Sequence, residues 1–105
     1  MDHVSSIEAK SIEWKLVDEG VEISILRSEP GEVRALLRFA PGKGYARHRH
    51  PEGEEVFVVE GVYEDMGTAY EAGSYIYYPP NSDHAPTSPT GCTILVMSPV
   101  APVNI

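Results

Sequence analysis

Apolar and polar residues alternate with a period of two in the early part of this chain and gather into short apolar runs bounded by turn residues further on, the patterns of strands rather than of helices. Val21, Ile23 and Ile25 share one parity, with Glu22 and Ser24 between them. The pattern predicts strands over 12–17, 21–26 and 33–39, the last two separated by the turn residues Glu29-Pro30-Gly31. Pro41-Gly42-Lys43-Gly44 then turns the chain into a short strand carrying His48-x-His50, and a run from Glu54 to Glu60 follows, which Gly61 is expected to end. A hairpin is expected over 62–71 around Asp65-Met66-Gly67, then an aromatic strand over 74–78 and a last one over 92–98. No helix of useful length is predicted; a short one over 7–15 is the alternative, with Ser5, Ser6 and Ser11 as ambiguous caps. Residues 1–11 read as a flexible or edge segment, 12–98 as the domain, and 99–105 as a Pro-interrupted tail. There is no internal repeat.

Composition supports this picture. A chain of 105 residues makes one domain that buries roughly two-thirds of its unfolded surface. Its 9 Gly and 9 Pro favour many short strands joined by turns, and hence an all-β sandwich or barrel. The formal charge of −8 argues against nucleic acid or an anionic membrane as partner, because both demand clustered Lys and Arg. Arg47-x-Arg49 is the only local basic cluster. The N-terminus lacks the apolar core of a signal peptide, and no stretch has the length of a membrane span. With a single cysteine there is no intrachain disulfide, and a cytoplasmic location is expected. Cys92 alternates with Ile94 and Val96, which predicts a buried core thiol.

The candidate chemistry lies in His48, His50, Glu54 and His84, three imidazoles and a carboxylate suited to a divalent transition metal. In a strand His48 and His50 point from the same face while Arg47 and Arg49 point away. Pro51-Glu52-Gly53 forms a turn that presents Glu54 at the start of the next strand. His84 comes thirty residues after Glu54, behind Pro79-Pro80-Asn81-Ser82-Asp83, a segment that reads as turn rather than regular element. Glu54 can be a ligand or, beside a metal-bound water, a general base; ligation is the reading adopted. Val56 and Val58, on the Glu54 face, are expected to wall the site, and Asp83 is a candidate acceptor for a ligand imidazole or simply a turn residue. Tyr75 and Tyr77 share one strand face and Ile76 and Tyr78 the other, with the inward pair left open. His3 reads as solvated.

On these residues the chain resembles the cupin superfamily. Gly42, five residues, His48-x-His50, three residues, Glu54, six residues and Gly61 match its first motif. Gly73, five residues, Pro79-x-Asn81, two residues and His84 match its second, with Asn81 where the family has glycine and Ser88 where it has asparagine. Asn tolerates the left-handed backbone that glycine supplies. Trp14, Gly20-Val21, Leu36-Leu37-Arg38, His84-Ala85-Pro86 and Gly91-Cys92 are similar to the ChrR-type cupins, which include the C-terminal domain of zinc-dependent anti-sigma factors. The cysteine-bearing zinc domain that grips a sigma factor is missing, so a complete anti-sigma factor is not expected.

The resemblance implies a double-stranded β-helix, the RmlC-like jelly roll, commonly a homodimer, with one metal held by His48, His50, Glu54 and His84. Zn, Fe or Mn lead as the metal, and Ni or Cu also suit this nitrogen-rich donor set better than Ca or Mg would. Three functions follow. The first is a metal-dependent, dioxygenase-like enzyme on a small organic substrate, of the acetylacetone-cleaving or flavonol-cleaving sort; acetylacetone-cleaving relatives use three histidines without glutamate, which Glu54 departs from. The second is a zinc-binding sensor or ligand-binding module without catalysis. The third is a barrel serving only dimerisation or partner contact. No catalytic base or substrate clamp is identifiable in the sequence.

Overall fold

The computed structural model describes residues 3–101 and 103–104. The all-β expectation holds: among the described residues, apart from a single 3-10 turn at Ala9–Ser11, the regular elements are strands. They are β1 (Lys15–Asp18), β2 (Val21–Glu29), β3 (Glu32–Phe39), β4 (Lys43–Gly44), β5 (His48–His50), β6 (Glu54–Asp65), β7 (Thr68–Glu71), β8 (Tyr75–Tyr78), β9 (Ser82–His84), β10 (Thr87–Ser88), β11 (Cys92–Ser98) and β12 (Val103–Asn104). The main sheet runs β1-β2-β3-β11-β6-β10-β4, with β7 and β8 also paired to β6, and a second sheet runs β12-β5-β9. The strands curl into a small jelly-roll barrel. Within the stretch expected as a tail, Val103–Asn104 pairs with β5, opposite Arg49 and His48.

Alternation builds the core. Cys92, Ile94, Val96 and Ser98 of β11 point inward, as do Ala35 and Phe39 of β3 and Val56 and Val58 of β6. Each fully buried Val or Ile contributes roughly 1.5–3 kcal/mol relative to exposure. Cys92 is therefore the core thiol expected, and burial raises its pKa. On β8 the inward pair is Ile76 and Tyr78, while Tyr75 and Tyr77 face outward. Outside the barrel, the Arg38 guanidinium lies 4.1 Å over the Trp14 ring and pairs with Glu22 at 2.8 Å.

Among the boundaries that differ from expectation, two bear on the site. Gly61 does not end its strand: β6 runs through it with φ +77°, and a Cβ there would lie 2.1 Å from the Gly91 carbonyl oxygen, so only glycine lets the two backbones pass. Beside it Glu60 pairs with Thr93 and Val58 with Ile94, leaving Val59 as the extra residue of a β-bulge. The bulge changes the inward parity from Glu54, Val56 and Val58 to Tyr63 and Asp65. The second difference is at Ser82-Asp83, expected as turn. Only the corner before them turns, through Asn81 at φ +69°, and Ser82–His84 then pairs with β5.

Candidate metal centre

β5 and β9 lie side by side with His48 opposite His84 and His50 opposite Ser82. The turns that deliver the other two site residues are both tied to the His50 carbonyl, which accepts the Gly53 N–H at 3.1 Å and the Asn81 N–H at 2.8 Å. Gly53 takes φ +85° with the Tyr78 carbonyl 2.7 Å from where a Cβ would sit, so the turn into β6 admits no side chain. One residue's backbone thus registers the entry of Glu54 and the approach of His84. On the outer side Asp83 pairs with Arg47 at 3.1 Å and Arg49 at 3.4 Å. Asp83 therefore faces away from the imidazoles, which corrects its candidacy as their acceptor: in a strand the residue beside an inward His84 points outward. These exposed pairs are worth at most about 1 kcal/mol each.

His48, His50, Glu54 and His84 are all buried, and one donor atom from each lies within 4.8 Å of the others. His50 Nε2 stands 3.1 Å from His84 Nε2, and Glu54 Oε1 stands 3.2 Å from the first and 3.5 Å from the second. His48 Nδ1 donates to the Ala46 carbonyl at 2.7 Å, and His84 Nδ1 donates to Asp65 Oδ2 at 3.0 Å. Both bonds leave Nε2 of the neutral ring with its lone pair free. Lone pairs and a carboxylate oxygen thus converge on one buried point, an arrangement that repels itself unless a cation or proton lies between. The four residues fit a transition-metal ion.

The electrostatics agree for His48 and His50, whereas His84, unless a cation competes, is held in its protonated form by the two carboxylates beside it. Burial, joined by the neighbouring His48 and His84, depresses His50 to a pKa of about 3, which keeps it a neutral donor. Burial also lowers His48, against the pull of its bond to Ala46, and raises Glu54, against the attraction of His84. For His84 burial works downward, but the hydrogen bonds and charges of Asp65 and Glu54 outweigh it and lift the pKa to about 9. Nδ1 of His50 is buried without a hydrogen-bond partner among the described residues.

A cavity of about 110 Å³ opens beside the four side chains. Ile23, Leu37, Ile94 and Val96 supply its apolar wall, and Tyr45 packs edge-on to the His48 ring at 4.8 Å between centroids. Val56 and Val58 share the Glu54 face as expected but are buried in the core and do not line this cavity, which corrects their role as its wall. His3 is exposed and is not one of the four. Sequence reasoning missed Tyr45, Tyr63 and, more importantly, Asp65, and it left open whether Tyr78 faces inward. Asp65 looks like a turn residue until the bulge at Val59 is known; strict alternation from Glu54 would point Glu64 inward instead.

A family model described as the ChrR cupin-like domain matches residues 3–101. The chain belongs to this family. Among solved structures, this cupin is similar to a provisionally assigned acetylacetone dioxygenase from Methylibium petroleiphilum PM1, with TM-score 0.89, 18% identity, and coverage of 100% of this chain and 83% of the other. An RmlC-like cupin from Shewanella frigidimarina NCIMB 400 superposes with TM-score 0.80 at 24% identity, covering 95% and 93% of the two chains. Rhodobacter sphaeroides SigE in complex with the anti-sigma ChrR superposes with TM-score 0.78 at 22% identity, covering 87% of this cupin and 51% of that chain. At these identities the similarity establishes the fold. No curated protein sequence matches this cupin significantly. Among its described residues, no helix is long and apolar enough to cross a membrane.

Proposed function

We propose that this cupin binds one divalent transition metal per chain through His48, His50, Glu54 and His84, and that it acts as a metal-dependent, dioxygenase-like enzyme on a small organic molecule. The observation that carries the reading is the convergence of four buried donors beside a largely apolar cavity. Zn, Fe and Mn suit this donor set first, with Ni and Cu behind them. When bound, such a metal supplies Lewis-acid polarisation of an oxygen donor and, for a redox-active ion, electron transfer. The chain's own residues do the rest. Ala46 and Asp65 hold the His48 and His84 rings in register, and the apolar wall excludes water and orients a compact substrate by shape. A cavity of about 110 Å³ suits a molecule of diketone size and is too small for a three-ring flavonol.

A second reading, a zinc-binding sensor or ligand-binding module without catalysis, is favoured by membership of the ChrR cupin-like family. Metal content of the purified protein after expression with Fe, Mn or Zn supplied separately, followed by oxygen uptake with short diketones, separates the two. About one Fe or Mn per chain with substrate-dependent uptake supports the enzyme. Tenacious Zn without turnover supports the sensor, and no metal under any supply overturns both.

The partner we propose, besides a small molecule, is a second copy of the chain. Across β3, β11 and β6 the outer face carries the row Leu36, Leu95, Phe57, flanked by Arg34 and Glu55 on one side and by Arg38 and Glu60 on the other. A two-fold axis running along β11 would set Arg34 over the partner's Glu55 and Arg38 over the partner's Glu60, with the apolar rows stacked between. Sedimentation analysis tests this. The charge swap Arg34→Glu should weaken the dimer, and adding Glu55→Arg should restore it. A wild-type monomer at tens of micromolar would end this idea.

A further inference from the structure

Asp65 belongs to none of the motifs that mark the metal site, yet it is tied to His84 more tightly than any other side chain. Its Oδ2 receives the His84 Nδ1–H at 3.0 Å and the Tyr78 Oη–H at 2.5 Å. A carboxylate only accepts, so the Tyr78 proton is committed to Asp65. The Tyr78 oxygen must then accept from Tyr63, whose Oη lies 3.0 Å away. The order of donation is therefore fixed, from Tyr63 to Tyr78 to Asp65, with His84 donating to the same carboxylate from the other side.

These groups are sealed from solvent: Tyr63 is 0% exposed, Tyr78 7%, Asp65 5% and His84 5%. None can exchange its partner for bulk water without opening the barrel. The Tyr78 ring also packs at a tilt against His84 with centroids 4.3 Å apart, so one residue both anchors the carboxylate and packs the imidazole. The three histidines are held unequally. His48 has a neutral carbonyl at Nδ1, His50 has no partner there among the described residues, and only His84 has an ionised one.

The charge balance points the same way. Among the described residues Glu54 and Asp65 are the only buried carboxylates, and no Lys or Arg is buried with them. Two anionic carboxylates in a low-dielectric interior call for compensating positive charge; a proton on His84, which touches both, answers one of them, and one dication bound at the four donors would answer both.

We propose that Asp65 is a positioning residue for the metal centre: anchored by the Tyr63–Tyr78 hydroxyl chain, its carboxylate holds the His84 Nδ1 proton, so that Nε2 of that ring is the strongest nitrogen donor toward a bound dication. This rests on His84 being a ligand. Carboxylate partners of ligand histidines fix ring orientation and raise basicity, and losing one typically weakens metal binding about 10–100-fold.

The test uses Zn²⁺ as probe, with affinity measured by competition against a chromophoric chelator, on the full chain and its Asp65→Ala, Asp65→Asn and Tyr78→Phe variants. Proton–nitrogen NMR of the His84 ring is recorded with and without Zn²⁺. The wild type should take up one Zn²⁺ per chain and show a downfield, slowly exchanging Nδ1 proton on His84. Asp65→Ala should bind about 10–100-fold more weakly and lose that signal. Asp65→Asn, which keeps an acceptor without the charge, and Tyr78→Phe should fall between. If Asp65→Ala does not fold, the milder two variants decide. Folded variants that bind Zn²⁺ as tightly as the wild type, or that keep the proton signal unchanged, overturn the proposal. Failure of the wild type itself to take up Zn²⁺ overturns the ligand assignment, and with it the metal-facing role of Asp65; that failure appears in the unmutated chain and so is distinct from the first.

Discussion

His50→Ala and His84→Ala each remove one of the converging nitrogens, and each is expected to abolish high-affinity metal binding, while His3→Ala, on an exposed residue apart from the site, leaves it intact. Equilibrium dialysis against Zn²⁺ checks all three, and full occupancy in both site variants would refute the assignment. Cys92, buried and with its thiol pKa raised by desolvation, should react with a thiol reagent only slowly in the native state and promptly in denaturant. Prompt native reaction would mean that β11 frays readily. At this scale the four candidate ligands were legible because their chemistry is rare and their spacing is local, His48 and His50 by strand alternation and Glu54 by one turn. Asp65 was not, because an acid followed by Met66-Gly67 is indistinguishable in sequence from an ordinary turn residue.

Among the elements, β6 is the one whose behaviour sequence misjudges most. A glycine after an apolar run commonly stops a strand, but Gly61 sits where two backbones touch, and the strand continues to Asp65. Gly61→Ala forces a Cβ against the Gly91 carbonyl at a left-handed φ and is expected to destabilise the fold by at least about 1 kcal/mol, read from urea unfolding. An unchanged midpoint would show that the crossing is looser than its geometry. The hairpin from β6 to β7 was legible, since Met66 at φ +50° and Gly67 at φ +79° form the two-residue turn its sequence suggests. The short strands β4 and β9, which lack a marker such as the His-x-His of β5, were not: a pattern with period two needs more than one repeat to register.

For the whole molecule, the three site-bearing strands meet only after distant segments close, β5 on β9 and β11 between β3 and β6. A metal joining β5, β6 and β9 binds the folded chain alone, so chelation of a metal-loaded sample should lower its melting temperature. At a free metal concentration 100 times Kd the stabilisation is about 2.7 kcal/mol. A thermal scan with and without chelator reads it, and identical curves for a sample shown to contain metal would argue that the site contributes nothing to folding. By itself the sequence determined the fold class, the four candidate metal-binding residues and the buried thiol, because alternation, turn chemistry and ligand type are local properties. Tertiary structure alone decided that those donors converge within 4.8 Å, that Asp65, Tyr63 and Tyr78 stand behind His84, and that a cavity of about 110 Å³ opens beside them. The reason is physical: a single extra residue in a bulge reverses which side chains face inward, and it is visible only when the opposing strand is in place.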